Sequence, residues 1–168
     1  MERELTKYGS AVLREPTKEV PLPDEGLQDL IDGMFEIMYR EKGVGLAAPQ
    51  IGLSMRLAVI DLARRDVERL VLINPVVISK DGECVADEGC LSIPGITGSV
   101  KRSKEITVET SDPAGNRRTV ECAGLLARAV EHEMDHLNGV LVIDRMGAVE
   151  RSLLSSKLKK LRKKLRGK

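Results

Sequence analysis

The chain has 168 residues, enough for one domain with a sizeable core, and its 42% apolar content is ordinary for a globular protein. No run approaches the roughly 18 apolar residues of a membrane span, and residues 1–8 are charged where a secretory signal would be apolar, so a cytoplasmic protein is expected. The net charge of +1 is unevenly spread: residues 157–168 hold 8 of the 27 basic residues and no acid, which leaves a formal −7 on the remainder and suggests a partner-binding terminus.

Aromatic residues make up only 2%, so the core must be built from Leu, Ile, Val and Met. Residues 1–23 read as irregular, broken by Pro16, Pro21 and Pro23. Asp24 is a suitable N-cap, and Leu27, Leu30, Ile31, Met34, Ile37 and Met38 follow at helical spacing, which predicts a helix over about 24–41 with Gly43 just beyond it. GVGLAAPQIG at 43–52 is too rich in Gly and Pro for regular structure throughout. Residues 56–62, 70–73 and 76–79 read as strands. Residues 105–110 alternate, DPAGN at 112–116 signals a turn, and 117–122 return as the hairpin partner. A helix is predicted over 125–137 with Gly139 as its stop. After an apolar piece at 140–143, a last helix spans about 148–166. The expected architecture is α+β: one domain over 1–168, with mixed or antiparallel sheets around a central helix, an N-terminal helix, and a basic helical tail at about 148–168.

Residues 132–136 read His-Glu-Met-Asp-His, and these are the only two histidines in the chain. On a helix, positions i and i+4 share a face, so both imidazoles reach one cation, and Glu133 lies close enough to act on a water beside it. This is a pattern for metal-assisted hydrolysis. The competing reading is a solvated helix face that happens to carry two histidines. A catalytic centre also needs a third ligand. Val142 occupies the place where some HExxH enzymes have a third His, and Glu150 follows very closely for a downstream ligand. An upstream cysteine is the better donor. Cys90, in EGCLSIP between Gly89 and Pro94, leads modestly over Cys84 and Cys122, whose strand-like settings suit plain buried thiols.

Three segments, GVGLAAPQ at 43–50, EGCLS at 88–92 and HEMDH at 132–136, resemble the signature motifs of peptide deformylases, in the same order and at the same separation. The similarity extends over nearly the whole chain. The resemblance implies hydrolysis of the N-formyl group from the initiator methionine of new polypeptides, with release of formate. It implies that Cys90 joins His132 and His136 as metal ligands, that Glu133 is base and then acid, and that the Gln50 side chain and the Leu91 backbone N–H stabilise the oxyanion. Gln50 also reads as a turn residue after Pro49. Val44, Gly45 and Gly89 are implied as substrate contacts, with the peptide added as a strand along 44–45. Glu88 and Arg102 are implied as a supporting ion pair. The implied metal is Fe(II) in the cell, with Zn(II), Ni(II) or Co(II) accepted by the same donors. One departure is visible: the family commonly has Gln where this chain has Glu131, an added acid near the site.

Helix spacing adds Leu125 and Ala129 on the face of His132, where they either line a pocket for an unbranched side chain or pack as core. Arg128 is expected to cover that pocket with its stem and send its head to solvent. In the tail, Leu154, Leu158, Leu161 and Leu165 form one stripe opposite Lys and Arg. Such a helix can dock on the body, touch ribosomal RNA through phosphates, or meet an anionic membrane surface. The alternatives to a deformylase are a small zinc endoprotease with Glu150 as ligand, and a ribosome- or RNA-binding protein led by the tail. Monomer is the favoured state.

Overall fold

Helix α1 (Leu27–Arg40) follows from the apolar spacing read above, and Leu27, Ile31, Met34, Ile37 and Met38 are all buried together with Phe35. The computed structural model describes residues 3–64 and 66–166, with side chains through residue 163. The helix starts later than predicted: Asp24 Oδ1 accepts from Gly26 N at 2.9 Å, so Asp24 closes a turn ahead of the helix rather than capping it. At the other end Lys42, not Gly43, adopts the left-handed conformation, with φ of 59°.

The motif at 43–52 folds as a short strand, β1 (Gly45–Ala47), followed by a 3-10 turn (Ala48–Ile51) started by Pro49. β2 (Leu57–Ile60) pairs with it antiparallel. The two strands expected at 70–73 and 76–79 are one, β3 (Leu70–Asp81), interrupted by a register shift between Ile73 and Val76. Pro75 has no N–H for a ladder. Asn74, at φ 49°, turns its amide to the backbone of Val20, accepting at 2.8 Å and donating at 2.9 Å.

A hairpin not foreseen from the sequence follows, β4 (Cys84–Cys90) with β5 (Ile93–Arg102). The hairpin at DPAGN forms as expected from β6 (Glu105–Ser111) and β7 (Arg117–Ala123). Strand order in the larger sheet is β1-β2-β3-β6-β7, all antiparallel, and β4-β5 stands as a separate pair. Helix α2 (Gly124–Leu137) packs on β1, β2 and β7, and Ala127, Val130, Met134 and Leu137 enter the core beneath the sheet. Gly139, at φ 73°, ends it, and a Cβ there would stand 2.6 Å from Arg14 O. The apolar piece at 140–143 runs into a short helix, α3 (Val142–Arg145), and α4 (Ala148–Arg166) closes the chain. A third cluster joins Leu13, Ile93, Val100, Val142 and Leu158, with Leu154 and Leu161 packed against it. The side chain of Leu165, and Gly167 and Lys168, lie outside the described residues. Among the described residues no helix is long and apolar enough to cross a membrane. The fold is α+β, with antiparallel sheets and few helices.

Candidate active site

Helix α2 carries His132 and His136 one turn apart, their rings 5.0 Å between centroids and 71° between planes. Cys90 arrives from the end of β4, with Sγ 3.2 Å from His136 Nε2. One donor atom from each of Cys90, His132 and His136 lies within 4.8 Å of the other two. Donors held by one ion at ~2.0–2.3 Å stand roughly 3.3–3.6 Å apart, so a small inward adjustment of these side chains suits a cation, and the thiolate and imidazole chemistry suits a borderline-soft divalent metal. The other cysteines sit elsewhere. Cys84 is exposed, and Cys122 lies in the core under the sheet, where burial pushes its thiol up to about 11.

His132 is oriented from behind. Its Nδ1 lies 3.1 Å from Glu88 Oε2, an arrangement that leaves Nε2 to face the cluster. Glu88 also accepts from Arg102 Nε at 3.0 Å, Arg102 Nη2 at 2.9 Å and Arg128 Nη1 at 2.6 Å. Burial works against its charge, but the hydrogen bonds from His132 and Arg102 outweigh it and hold the Glu88 carboxyl at about 2. Burial likewise works against a charged His132, and the Cys90 and Glu88 contacts carry it up to about 10 with no cation beside it. The expectation that Arg128 points its head to solvent is overturned: besides Glu88, its guanidinium donates to Val100 O at 3.1 Å and Cys84 O at 2.9 Å.

Arg102 continues to Asp135, donating from Nη1 at 2.6 Å, and Asp135 is gripped by Arg145 at 3.0 and 2.7 Å. Asp135 and Arg145 do not stand out in the sequence. The available signal is an acid between the two histidines with an Arg ten residues on, too weak without the β4-β5 pair that carries Arg102.

Glu133 is in a different setting. It is buried, and its Oε2 finds no hydrogen-bond partner among the described residues. Burial raises its carboxyl to about 7 against the pull of His132. A Cβ at position 45 would collide with Glu133 Oε1, so any residue other than glycine there would displace the carboxyl. Gln50 is also buried. Its Oε1 accepts from Ala47 N at 2.8 Å, so its amide nitrogen faces the site, 3.6 Å from Cys90 Sγ and 3.3 Å from Ser92 Oγ. Gln50 is thus both a turn residue and a donor aimed at the cluster.

Cys90, His132, Glu133 and Gln50 share a cavity of about 440 Å³ whose lining also includes Val44, Gly45, Gly89, Leu91, Leu125 and Ala129. Ala129 is a buried part of the wall, while Val44 and Leu125 are about half exposed, at 48% and 52%, and belong to the rim. Glu131 does not stand beside the reacting groups, contrary to the expectation from sequence. It is buried and turned toward Lys80 Nζ at 2.6 Å, Ser103 N at 2.6 Å and Ser103 Oγ at 3.3 Å. Glu150, the alternative downstream ligand, is engaged by Ser99 N at 3.1 and 3.3 Å and does not join the cluster.

A family model described as polypeptide deformylase matches residues 2–152. A peptide deformylase of Acidobacterium capsulatum is 44% identical over 97% of this chain and 97% of its own, and one of Thermodesulfovibrio yellowstonii is 42% identical over 93% and 96%. Among solved structures, a peptide deformylase from Legionella pneumophila superposes with a TM-score of 0.87 at 42% identity, covering 99% of this chain and 98% of that one. One from Plasmodium falciparum does so at 0.91 and 34% identity, covering 98% of each.

Proposed function

The chain belongs to the polypeptide deformylase family, and from that premise we propose that it is a metal-dependent hydrolase removing the formyl group from the initiator methionine of nascent polypeptides in the cytoplasm. The observation that carries this reading is the buried Glu133, whose Oε2 has no hydrogen-bond partner among the described residues, in one cavity with Cys90 and His132 of the Cys90–His132–His136 donor cluster.

Cys90, His132 and His136 would hold one divalent cation, Fe(II) in the cell, with Zn(II), Ni(II) and Co(II) suited to the same donors. When bound, the cation acts as a Lewis acid and lowers the pKa of water. The remaining work falls to the chain. Glu88 holds His132 with Nε2 toward the cluster. Glu133 takes the proton of the attacking water and passes it to the amine that leaves, a double role suited to a carboxyl that burial has brought near neutral pH. Gln50 Nε2 and the Leu91 N–H donate to the formyl oxygen as it gains charge. The backbone at Val44 and Gly45, at the start of the edge strand β1 of the larger sheet, pairs with the peptide. Ala129 and the rim residue Leu125 receive the methionine side chain.

The tail supports a partner. Leu154, Leu158 and Leu161 face the third core cluster, while Lys157, Lys159, Lys160 and Lys163 are exposed. This face would meet ribosomal RNA through its phosphates, where the substrate emerges.

The test is formate release from a formyl-methionyl peptide, with metal analysis of the same sample. Turnover that scales with bound metal is expected. Bound metal without formate would overturn the reading.

A further inference from the structure

Three consecutive residues near the N-terminus reach both segments that carry the proposed oxyanion donors. Thr6 N donates to Gln50 O at 2.7 Å, Lys7 Nζ to Leu91 O at 3.0 Å, and Tyr8 N to Ser92 O at 2.8 Å. We propose that Lys7 is a positioning residue for deformylation, holding the Leu91–Ser92 turn so that the Leu91 N–H meets the formyl oxygen. The proposal rests on the role given above to Leu91.

The turn needs such support. Cys90 pairs with Ile93, so Leu91 and Ser92 are the two central residues of a tight hairpin. Two-residue hairpins favour turn types with positive φ at the first central residue or at both. Among the described residues, the non-glycine positions with positive φ are Lys42, Ala63 and Asn74, and neither Leu91 nor Ser92 is among them. The turn therefore departs from the form that strand twist favours, and its carbonyls are held from outside, by Lys7 at Leu91 and by Tyr8 at Ser92. The hairpin is irregular on its other side too: the register shifts between Gly89 and Cys90, which leaves residues 94–96 of β5 without partners.

The segment that supplies these bonds is itself clamped. Tyr8 packs against the third core cluster together with Cys90, and a Cβ on Gly9 would stand 3.2 Å from Arg162 Cγ of α4. The bonds from Thr6 and Tyr8 use backbone N–H groups that nearly any residue would offer. The bond from Lys7 uses a side chain, so it is the sequence-specific part of the strap.

A purely structural lysine would affect folding or metal content. A positioning lysine changes the transition state more than substrate binding. The experiment uses the metal-loaded full chain and a formyl-methionyl peptide, and compares Lys7→Met with Lys7→Arg. The expected result for Lys7→Met is a fall in kcat of about 10- to 100-fold, with KM within about twofold and metal per chain unchanged. Lys7→Arg, which keeps a cationic donor, is expected to recover most of the loss. The inference is overturned if Lys7→Met keeps its kcat, if metal content falls with activity, or if Lys7→Arg is no better than Lys7→Met. A wild-type chain that binds metal but releases no formate would overturn the deformylase reading and this inference with it. An active wild type with an equally active Lys7→Met would overturn this inference alone.

Discussion

Two buried carboxylates flank His132, and their surroundings are opposite. Glu88 receives donors from two arginines and from the imidazole itself; burial pushes its carboxyl up, but the bonds from His132 and Arg102 hold it at about 2. Glu133 meets the glycine backbone of β1, has an oxygen without a partner among the described residues, and is raised to about 7 by burial. Desolvation acts on both, and the supply of donors decides the outcome. A carboxylate that stays charged suits holding an imidazole, and a carboxyl near neutrality suits moving a proton. The contrast is made by β4-β5, which brings Arg102 to Glu88 and brings no donor to Glu133.

The largest effect is expected from removing the unpartnered member. Glu133→Ala should lower kcat by about 10²–10⁴-fold, the range typical of a lost general base, while metal content stays at the wild-type level. Formate release and metal analysis on the same preparation check this. Near-normal turnover would mean that Glu133 is simply a buried acid.

Removing the satisfied member should act on the scaffold. Glu88→Ala leaves Arg102 and Arg128 short of a buried partner, a change that costs about 3–5 kcal/mol. It also frees His132 Nδ1, so metal affinity should fall by about 10- to 100-fold. Denaturant melts and metal competition report the two effects separately. A stable variant with full metal affinity would break the contrast between the two acids.

The metal-free protein offers a finer comparison, because the two carboxyls tilt stability in opposite directions with pH. Glu133 titrates near 7 when folded against an ordinary value of 4.5, so its contribution is fully present below about 4.5 and is lost as pH rises through 7. Glu88 titrates near 2 against the same ordinary value, so its contribution is present above about 4.5 and is lost as pH falls toward 2. Each window is worth at most on the order of 3 kcal/mol. Glu133→Gln should flatten the stability curve between about pH 4.5 and 7 and leave the acid limb in place. Glu88→Gln should flatten the acid limb. Urea melts of the metal-free chain at stepped pH measure both.

One side of this comparison is legible in the sequence and the other is not. The histidine helix shows itself through i, i+4 spacing, and Glu133 comes with it. Helix α1 and the β6-β7 hairpin show through apolar periodicity and through DPAGN. The β4-β5 hairpin is hidden because its inward face is not apolar throughout. Gly98 and Arg102 both point inward there, Gly98 because Met146 fills the space that its side chain would take, and Arg102 because Glu88 and Asp135 receive it. An alternation rule reads both as outward or as breaks. The same blindness hides where the head of Arg128 goes, since its three acceptors lie on these two strands. Glu88 and Arg102 are reached only by resemblance to a family, and Lys7 by neither route, because a charged residue in an irregular N-terminus carries no pattern.

The smallest effect on chemistry is expected at the tail, and the structure changes how that test should be made. Cutting the chain at residue 157 would remove Leu158, which is 7% exposed and sits in the third core cluster near Cys90. Such a cut confuses a missing partner with a loosened site. Replacing the exposed Lys159, Lys160 and Lys163 with Gln leaves the packed leucines alone. Turnover on a short formyl-methionyl peptide should then stay within about twofold of wild type, since surface changes away from a site are nearly neutral. Binding to ribosomes should weaken, and the slope of log affinity against log salt should shrink by about 0.7–0.9 for each phosphate that is no longer neutralised. An unchanged slope would mean that these three lysines meet no phosphate. A fall in turnover on the free peptide would instead show that charge on this helix reaches the site, through Arg162 over Gly9 and the residues that hold the Leu91 turn.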